Sequence, residues 1–79
     1  MKIKCFGIAK DIVDNDHLLI TKDDTPKTVA ELRQYLSQHY PSFKHYKSCM
    51  IAVNQAYAND DMPIKLEDEI AIIPPVSGG

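Results

Sequence analysis

One helix signal dominates this chain and limits what the rest can do. Thr28-Val29-Ala30-Glu31 has the S/T-x-x-E spacing of a capping box, in which the Thr28 hydroxyl accepts the Glu31 N–H while the Glu31 carboxylate reaches back to the Thr28 N–H. Val29, Leu32 and Leu36 then recur at i, i+3 and i+7, so one apolar stripe faces inward and Arg33, Gln34, Ser37 and Gln38 face away. Pro41 stops the run, because the residue before a proline is pushed out of the helical region. The spacing predicts a helix of about three turns from Val29 to about His39. A single helix covers one face of a sheet and no more, so the remaining apolar runs have to supply that sheet.

They are strand-sized. Lys2 to Ala9 alternates at first and then turns apolar on both parities at Phe6 and Ile8, with Gly7 as a bulge or point of close approach; it is the expected first strand. Asp14-Asn15-Asp16 is a polar turn, and His17 to Thr21 returns as strand two. Lys22 to Pro26 is a loop leading to the helix, and Ser42 to Ser48 has no clean period and is expected to be irregular. Cys49 to Val53 is rich in apolar residues suited to strand three. Asn54-Gln55 has the form of a tight turn into a short strand at Ala56 to Ala58, and Asn59-Asp60-Asp61 with Met62-Pro63 closes that excursion. Glu69 to Ile73 is the last strand, ended by Pro74-Pro75, which cannot donate to a ladder. The order strand, strand, helix, strand, short strand, strand, with one helix on one face of a mixed sheet, is that of an α+β, β-grasp (ubiquitin-like) domain.

Size and charge exclude other classes. The 79 residues allow one domain, 1–79, with a globular body over residues 1–73 and a tail over residues 74–79. A chain of this length buries only about 60 to 65% of its unfolded surface, so a deep, walled active site is not expected and chemistry requires a partner. Nine Lys and Arg against eleven Asp and Glu give a net charge of -2, which argues against a nucleic-acid surface. No apolar run approaches the roughly eighteen residues of a bilayer span, and the N-terminus lacks a signal-type apolar region, so a cytoplasmic protein with no membrane partner is expected. Cys5 and Cys49 lie in apolar runs without metal-ligand spacing and read as small buried hydrophobes of a reducing compartment. His17, His39 and His45 share no motif with an acid or nucleophile, and Asp23-Asp24 and Asp60-Asp61 read as turn formers, so no metal site is expected.

The sheet's second face leaves two possibilities. Ile70 and Ile72 against Ala71 and Ile73, and Cys49, Ile51 and Val53 against Met50 and Ala52, are apolar on both sides. Either loop residues such as Phe43, Tyr46, Leu66 and Met62 fold over that face, or it is an open patch centred near Ile73 that a partner covers.

The C-terminal run Asp68-Glu69-Ile70-Ala71-Ile72-Ile73-Pro74-Pro75-Val76-Ser77-Gly78-Gly79 resembles the signature of the MoaD family, the small, sulfur-carrier subunits of molybdopterin synthase. Ile3 to Ala9, the Thr28-Val29-x-x-Leu32-Arg33 helix start and Ala52-Val53-Asn54-Gln55 also fall where that family has them, so the likeness covers nearly the whole chain. Departures are the Lys65-Leu66-Glu67-Asp68-Glu69 turn, which lacks the Gly-Asp pair of many relatives, aliphatic Ile72-Ile73 where aromatics are frequent, and Gly7 where a large apolar residue is common, which leaves a small packing gap. The resemblance implies that the Gly79 carboxyl is the reactive group: an activating enzyme spends ATP to adenylate it, sulfur from a donor protein converts it to a thiocarboxylate, and the large synthase subunit, in a heterotetramer, takes up the tail of Pro74, Pro75, Val76, Ser77 and Gly78. No bound cofactor is implied, and the chain alone is an inert half of a sulfurtransferase. A flexible Gly-Gly end enters a narrow channel because it has no Cβ, while Pro74-Pro75 stiffens the exit from the sheet. A β-grasp carrier for thiamine or tRNA thiolation, and a ubiquitin-like modifier or interaction module, remain as alternatives.

Overall fold

The structure is a computed structural model that describes residues 1–45 and 49–74. Alternation over Lys2–Cys5 sends Ile3 and Cys5 into the core and Lys2 and Lys4 to solvent, forming β1. His17–Leu19 forms β2 and pairs antiparallel with β1, Lys2 opposite Leu19 and Lys4 opposite His17. The pairing continues to Ile20, whose N–H donates to the Met1 carbonyl at 2.9 Å. Met50–Val53 (β3), Ala56–Tyr57 (β4) and Ile70–Ile73 (β5) complete a five-stranded sheet in the order β2-β1-β5-β3-β4. The last strand is therefore central. It runs parallel to β1 and antiparallel to β3, with Ile72 between Cys5 and Ile51 and Ile70 between Ile3 and Val53. Only a mixed sheet with its final strand inserted in the middle satisfies this register, and it is the β-grasp architecture expected above.

The expected first strand is too long by four residues. It ends at Cys5, and Gly7 turns the chain with φ +55° and ψ −128°. The Ala9 N–H closes on the Phe6 carbonyl at 3.1 Å, the geometry of a II′ turn, in which the first central position belongs to glycine. Ile8–Val13 then forms a short helix, α1, that ends at left-handed Asp14 (φ +61°). Ala9 is fully buried, and Ile8, Ile12 and Val13 pack on the core. Six residues give fewer than two turns of periodicity, and a helix this short is stable only through such packing, so alternation in the preceding strand masked it.

The main helix, α2, spans Val29–His39 as its spacing predicts, with Val29, Leu32 and Leu36 buried. Glu31 N–H donates to Thr28 Oγ1 at 3.2 Å. The reciprocal half of the expected box differs: the Glu31 carboxylate accepts from Lys27 N–H at 3.1 Å, not from Thr28 N–H. Extended Thr28 is bridged to Pro63, which aligns residues 60–64 along the helix start. Val29 and Ala30 N–H groups donate to the carbonyls of Met62 (3.0 Å) and Asp60 (2.8 Å), so the donors that a helix start leaves free are occupied. Arg33 Nε ties to Asp60 Oδ1 at 3.0 Å on the same side.

At the other end Pro41–His45 winds into a 3-10 turn that buries Phe43, edge-on to Tyr40 at 6.2 Å. Between β3 and β4, Asn54 (φ +52°) and Gln55 (φ +72°) make the expected tight turn, whose paired positive φ values match the twist of a two-residue hairpin.

Candidate functional site: the end of the central strand and the open sheet face

The helix-side face of the sheet is closed by α2, α1 and Phe43. Among the described residues nothing covers the opposite face. Its register runs from Leu19 and His17 through Lys2 and Lys4, then Ala71 and Ile73, then Ala52 and Met50, to Tyr57. Phe6 (49% exposed), Met50 (40%) and Tyr57 (66%) stand free in solvent, and a shallow groove runs among Phe6, Ala52, Tyr57, Ala71 and Ile73. Of the residues that could have folded over it, Phe43 lies in the core cluster and Met62 and Leu66 are themselves exposed; Tyr46 lies outside the described residues. Ile73 is half-buried, at the groove's end beside Pro74. Lys4 Nζ meets Glu69 Oε1 at 3.1 Å along the groove's rim, leaving the centre of the face apolar.

The chain leaves β5 at Pro74. The Phe6 N–H donates to the Ile72 carbonyl at 3.3 Å, which fastens the Phe6–Ala9 turn to the last pair of the central strand. Gly7 leaves no packing gap, contrary to expectation: a Cβ in the L position there would sit 2.6 Å from Pro74 Cγ. The proline ring already occupies that space. Pro74 and Ile73 are the expected site residues that the structure describes; Pro75, Val76, Ser77, Gly78 and Gly79 lie outside the described residues. Parity in the sequence already sets Met50 with Ala52 on one side of β3; it misses Phe6 and Tyr57 as members of the face, because Phe6 falls inside the expected continuous strand and Tyr57 takes a side only through its pairing with Ala52.

Several of the remaining chemistry-bearing side chains are in structural use. Cys5 and Cys49 are free and buried, and burial pushes both thiols above their ordinary range, so neither is poised as a thiolate. His17 Nδ1 lies 2.8 Å from Asp16 Oδ1, and the His39 ring stacks on Tyr35 at 4.0 Å. Asp24 Oδ2 accepts from the Thr21 hydroxyl at 3.2 Å within its turn. Among the described residues there is no group of three metal-ligating side chains, and no helix is long and apolar enough to cross a membrane.

The ThiS family model matches residues 3–79. The chain belongs to the ThiS family. Among its relatives, the molybdopterin synthase sulfur carrier subunit of Dictyostelium discoideum is 38% identical over 99% of this chain and 94% of its own length. A chain of the solved complex of subunits 1 and 2 of the molybdopterin-converting factor from Helicobacter pylori aligns with a TM-score of 0.66 at 29% identity, over 99% of this chain and 96% of that one. The small archaeal modifier protein 1 of Methanosarcina acetivorans aligns with a TM-score of 0.78 at 25% identity, over 99% and 94%. In this ThiS-family chain, the turn that lacks a Gly-Asp pair is held by side chains instead. Asp68 Oδ2 accepts from the Lys65 N–H at 2.7 Å, and its Oδ1 from Asn54 Nδ2 at 3.0 Å. These bonds, the backbone one first, lower the Asp68 carboxyl below its ordinary value. Asn54 also exchanges bonds with the Glu69 backbone: its N–H donates to the Glu69 carbonyl at 2.7 Å, and its side-chain Oδ1 accepts from Glu69 N–H at 2.9 Å. The β3–β4 turn is thereby clamped to the entry of β5.

Proposed function

We propose that this chain is the sulfur-carrier subunit of a molybdopterin synthase and that the α-carboxyl of Gly79 is its reactive group. The observation that carries the reading is likeness along both full lengths to a relative of that name, 38% identical over 99% of this chain. The fold supports it: the central strand delivers Pro74 to the rim of an open apolar face, so a partner that covers Ile73, Phe6 and Tyr57 has the tail residues Pro74 to Gly79 within reach.

A free carboxylate is a poor acyl donor. An activating enzyme joins the Gly79 carboxylate to the AMP moiety of ATP and releases pyrophosphate; sulfide sulfur brought by a donor protein then displaces AMP and leaves a thiocarboxylate. With the tail of Pro74, Pro75, Val76, Ser77 and Gly78 seated in the large subunit, the sulfur bonds to a carbon of a pterin precursor and displaces the oxygen substituent that carbon carried. Water hydrolyses the resulting acyl–sulfur bond, restores the carboxylate and leaves the sulfur on the pterin. Two carriers in a heterotetramer supply the two sulfurs of the dithiolene. Holding the sulfur on a positioned tail replaces a bimolecular encounter with free sulfide. The protein works in the cytoplasm and binds no cofactor of its own.

Deleting Gly79 abolishes sulfur transfer while the unfolding transition and large-subunit binding stay near wild type; retained transfer refutes the reading. The likeness to an archaeal modifier protein supports a second reading, covalent attachment of Gly79 to lysines of other proteins, whose signature is slower-migrating conjugates on a denaturing gel that vanish with the same deletion.

A further inference from the structure

The contact between Gly7 and Pro74 joins two features that each require explanation. Gly7 adopts φ +55° and ψ −128°, which L residues with a Cβ avoid. Its missing Cβ is also the space that Pro74 fills, with Cγ 2.6 Å and Cβ and Cδ each 3.6 Å from where that atom would stand. These distances differ in kind: at 3.6 Å the ring would be in ordinary contact, whereas at 2.6 Å it would have to move. The turn bearing Gly7 is itself fixed, at one end by Phe6 N–H on the Ile72 carbonyl at 3.3 Å and at the other by Asp11 N–H and Lys10 N–H on the Gly7 carbonyl at 3.3 and 3.1 Å. Pro74 thus rests on a hydrogen-bonded turn, at the first residue beyond the sheet.

Position there is amplified along the chain. When the tail is drawn out in a partner's channel, the five residues Pro75 to Gly79 reach at most about 17 Å, so a turn of about 10° at Pro74 moves the Gly79 carboxyl by up to about 3 Å. That is as large as the separation between reacting atoms in a productive complex. We infer that Gly7 is a positioning residue: its bare Cα seats the Pro74 ring and so sets the direction in which the reactive tail leaves the fold. The inference rests on the sulfur-carrier reading, since it concerns how Gly79 is presented to the enzyme that activates it.

The test uses full-length wild type, Gly7→Ala, Pro74→Ala and the double variant, each with the activating enzyme of the same organism and ATP, reading pyrophosphate release that depends on the carrier. Thermal unfolding of each variant is followed in parallel. In wild type, nuclear Overhauser contacts between Gly7 Hα and the Pro74 ring protons are expected; their absence overturns the inference. Gly7→Ala is expected to unfold at a lower temperature because of its backbone angle, and in addition to lose kcat/KM by about tenfold to a hundredfold at a temperature where it is fully folded. Pro74→Ala, which has no backbone penalty at position 7, is expected to lose kcat/KM while unfolding close to wild type. In the Pro74→Ala background, Gly7→Ala should lower the unfolding temperature again yet cause no further kinetic loss, since the contact it disturbs is already gone. Kinetic losses that multiply, or wild-type kinetics in folded Gly7→Ala, overturn the inference. Should Gly7→Ala fail to fold, wild-type kinetics in Pro74→Ala overturn it alone. A wild-type chain that releases no pyrophosphate with the enzyme overturns the sulfur-carrier reading itself, whatever the Overhauser contacts show.

Discussion

Ile72 and Ile73 are neighbours on the central strand with opposite fates, and exchanging each for glutamate separates folding from association. Ile72 is 1% exposed and lies between Cys5 and Ile51; Arg33 lines the same cavity but is tied to Asp60 at 3.0 Å. An unpaired carboxylate there costs about 4 kcal/mol or more, comparable to the whole stability of a domain this size, about 4 to 12 kcal/mol. Ile73 is half-buried on the open face opposite Met50. Its replacement forfeits about half the roughly 2 kcal/mol of a fully buried isoleucine, so about 1 kcal/mol, and the new carboxylate keeps its water. Lys4, opposite Ala71 on the same face, offers it a solvent-screened partner worth at most a few tenths of a kcal/mol. Urea unfolding by circular dichroism should therefore find Ile72→Glu largely unfolded without denaturant and Ile73→Glu folded, with a modestly lowered midpoint. Calorimetry with the large synthase subunit should show the reverse emphasis. A charge placed in an apolar contact costs about 3 kcal/mol or more, a Kd rise of over a hundredfold, for Ile73→Glu. If Ile73→Glu unfolds as readily as Ile72→Glu, the face is not open; if it binds with wild-type affinity, the face is not the interface.

Gln55→Gly should raise stability by about 0.5 to 1 kcal/mol, because φ +72° strains a residue with a Cβ more than it strains glycine; a drop in the urea midpoint contradicts the turn assignment. Thr28→Ala should cost about 1 kcal/mol through loss of the cap to Glu31, and Thr28→Ser should restore most of it. Asp68 is more acidic in the fold than its ordinary value of 3.8, so the stability it adds is present in full above that pH and is lost as the pH falls through its lower, folded value. Denaturation midpoints measured from pH 6 down to about pH 2 should fall less steeply for Asp68→Asn than for wild type; identical slopes would mean that the bonds from Lys65 and Asn54 do not favour the charged form.

Much of this arrangement is legible before any coordinates, and the failures have physical causes. The helix from Val29 to His39 announces itself because a capping residue, an apolar period and a terminating proline agree. The double-sided apolar character of β5 follows from the sequence, and its place between β1 and β3 puts one of its sides in the core and the other on the open face. The short helix after Gly7 is not legible: alternation up to Cys5 runs without a break into Phe6 and Ile8, and the signal that ends the strand is one glycine whose φ cannot be read from its letter. The Glu31 carboxylate goes to Lys27 because residues distant in sequence, Asp60 to Pro63, pack against the helix start, which no local motif encodes. For the candidate site, the tail, Ile73 and Met50 come from the sequence pattern, whereas Tyr57 joins the face only through strand pairing and Phe6 only because β1 ends at Cys5. The seat that Gly7 offers Pro74 spans sixty-seven positions of the chain and emerges only when β1 and β5 lie side by side.

The central claim is that Gly79 carries sulfur, and tandem mass spectrometry of the C-terminal peptide tests it most directly. The full-length protein is incubated with its activating enzyme, ATP and a sulfur donor, then digested. Fragment ions are needed because exchange of oxygen for sulfur adds about 16 Da, nearly the same as oxidation of a methionine or cysteine. The account predicts that the added mass maps to Gly79 and disappears on mixing with the large synthase subunit and pterin precursor. A Gly79 that remains a plain carboxylate under all of these conditions contradicts it.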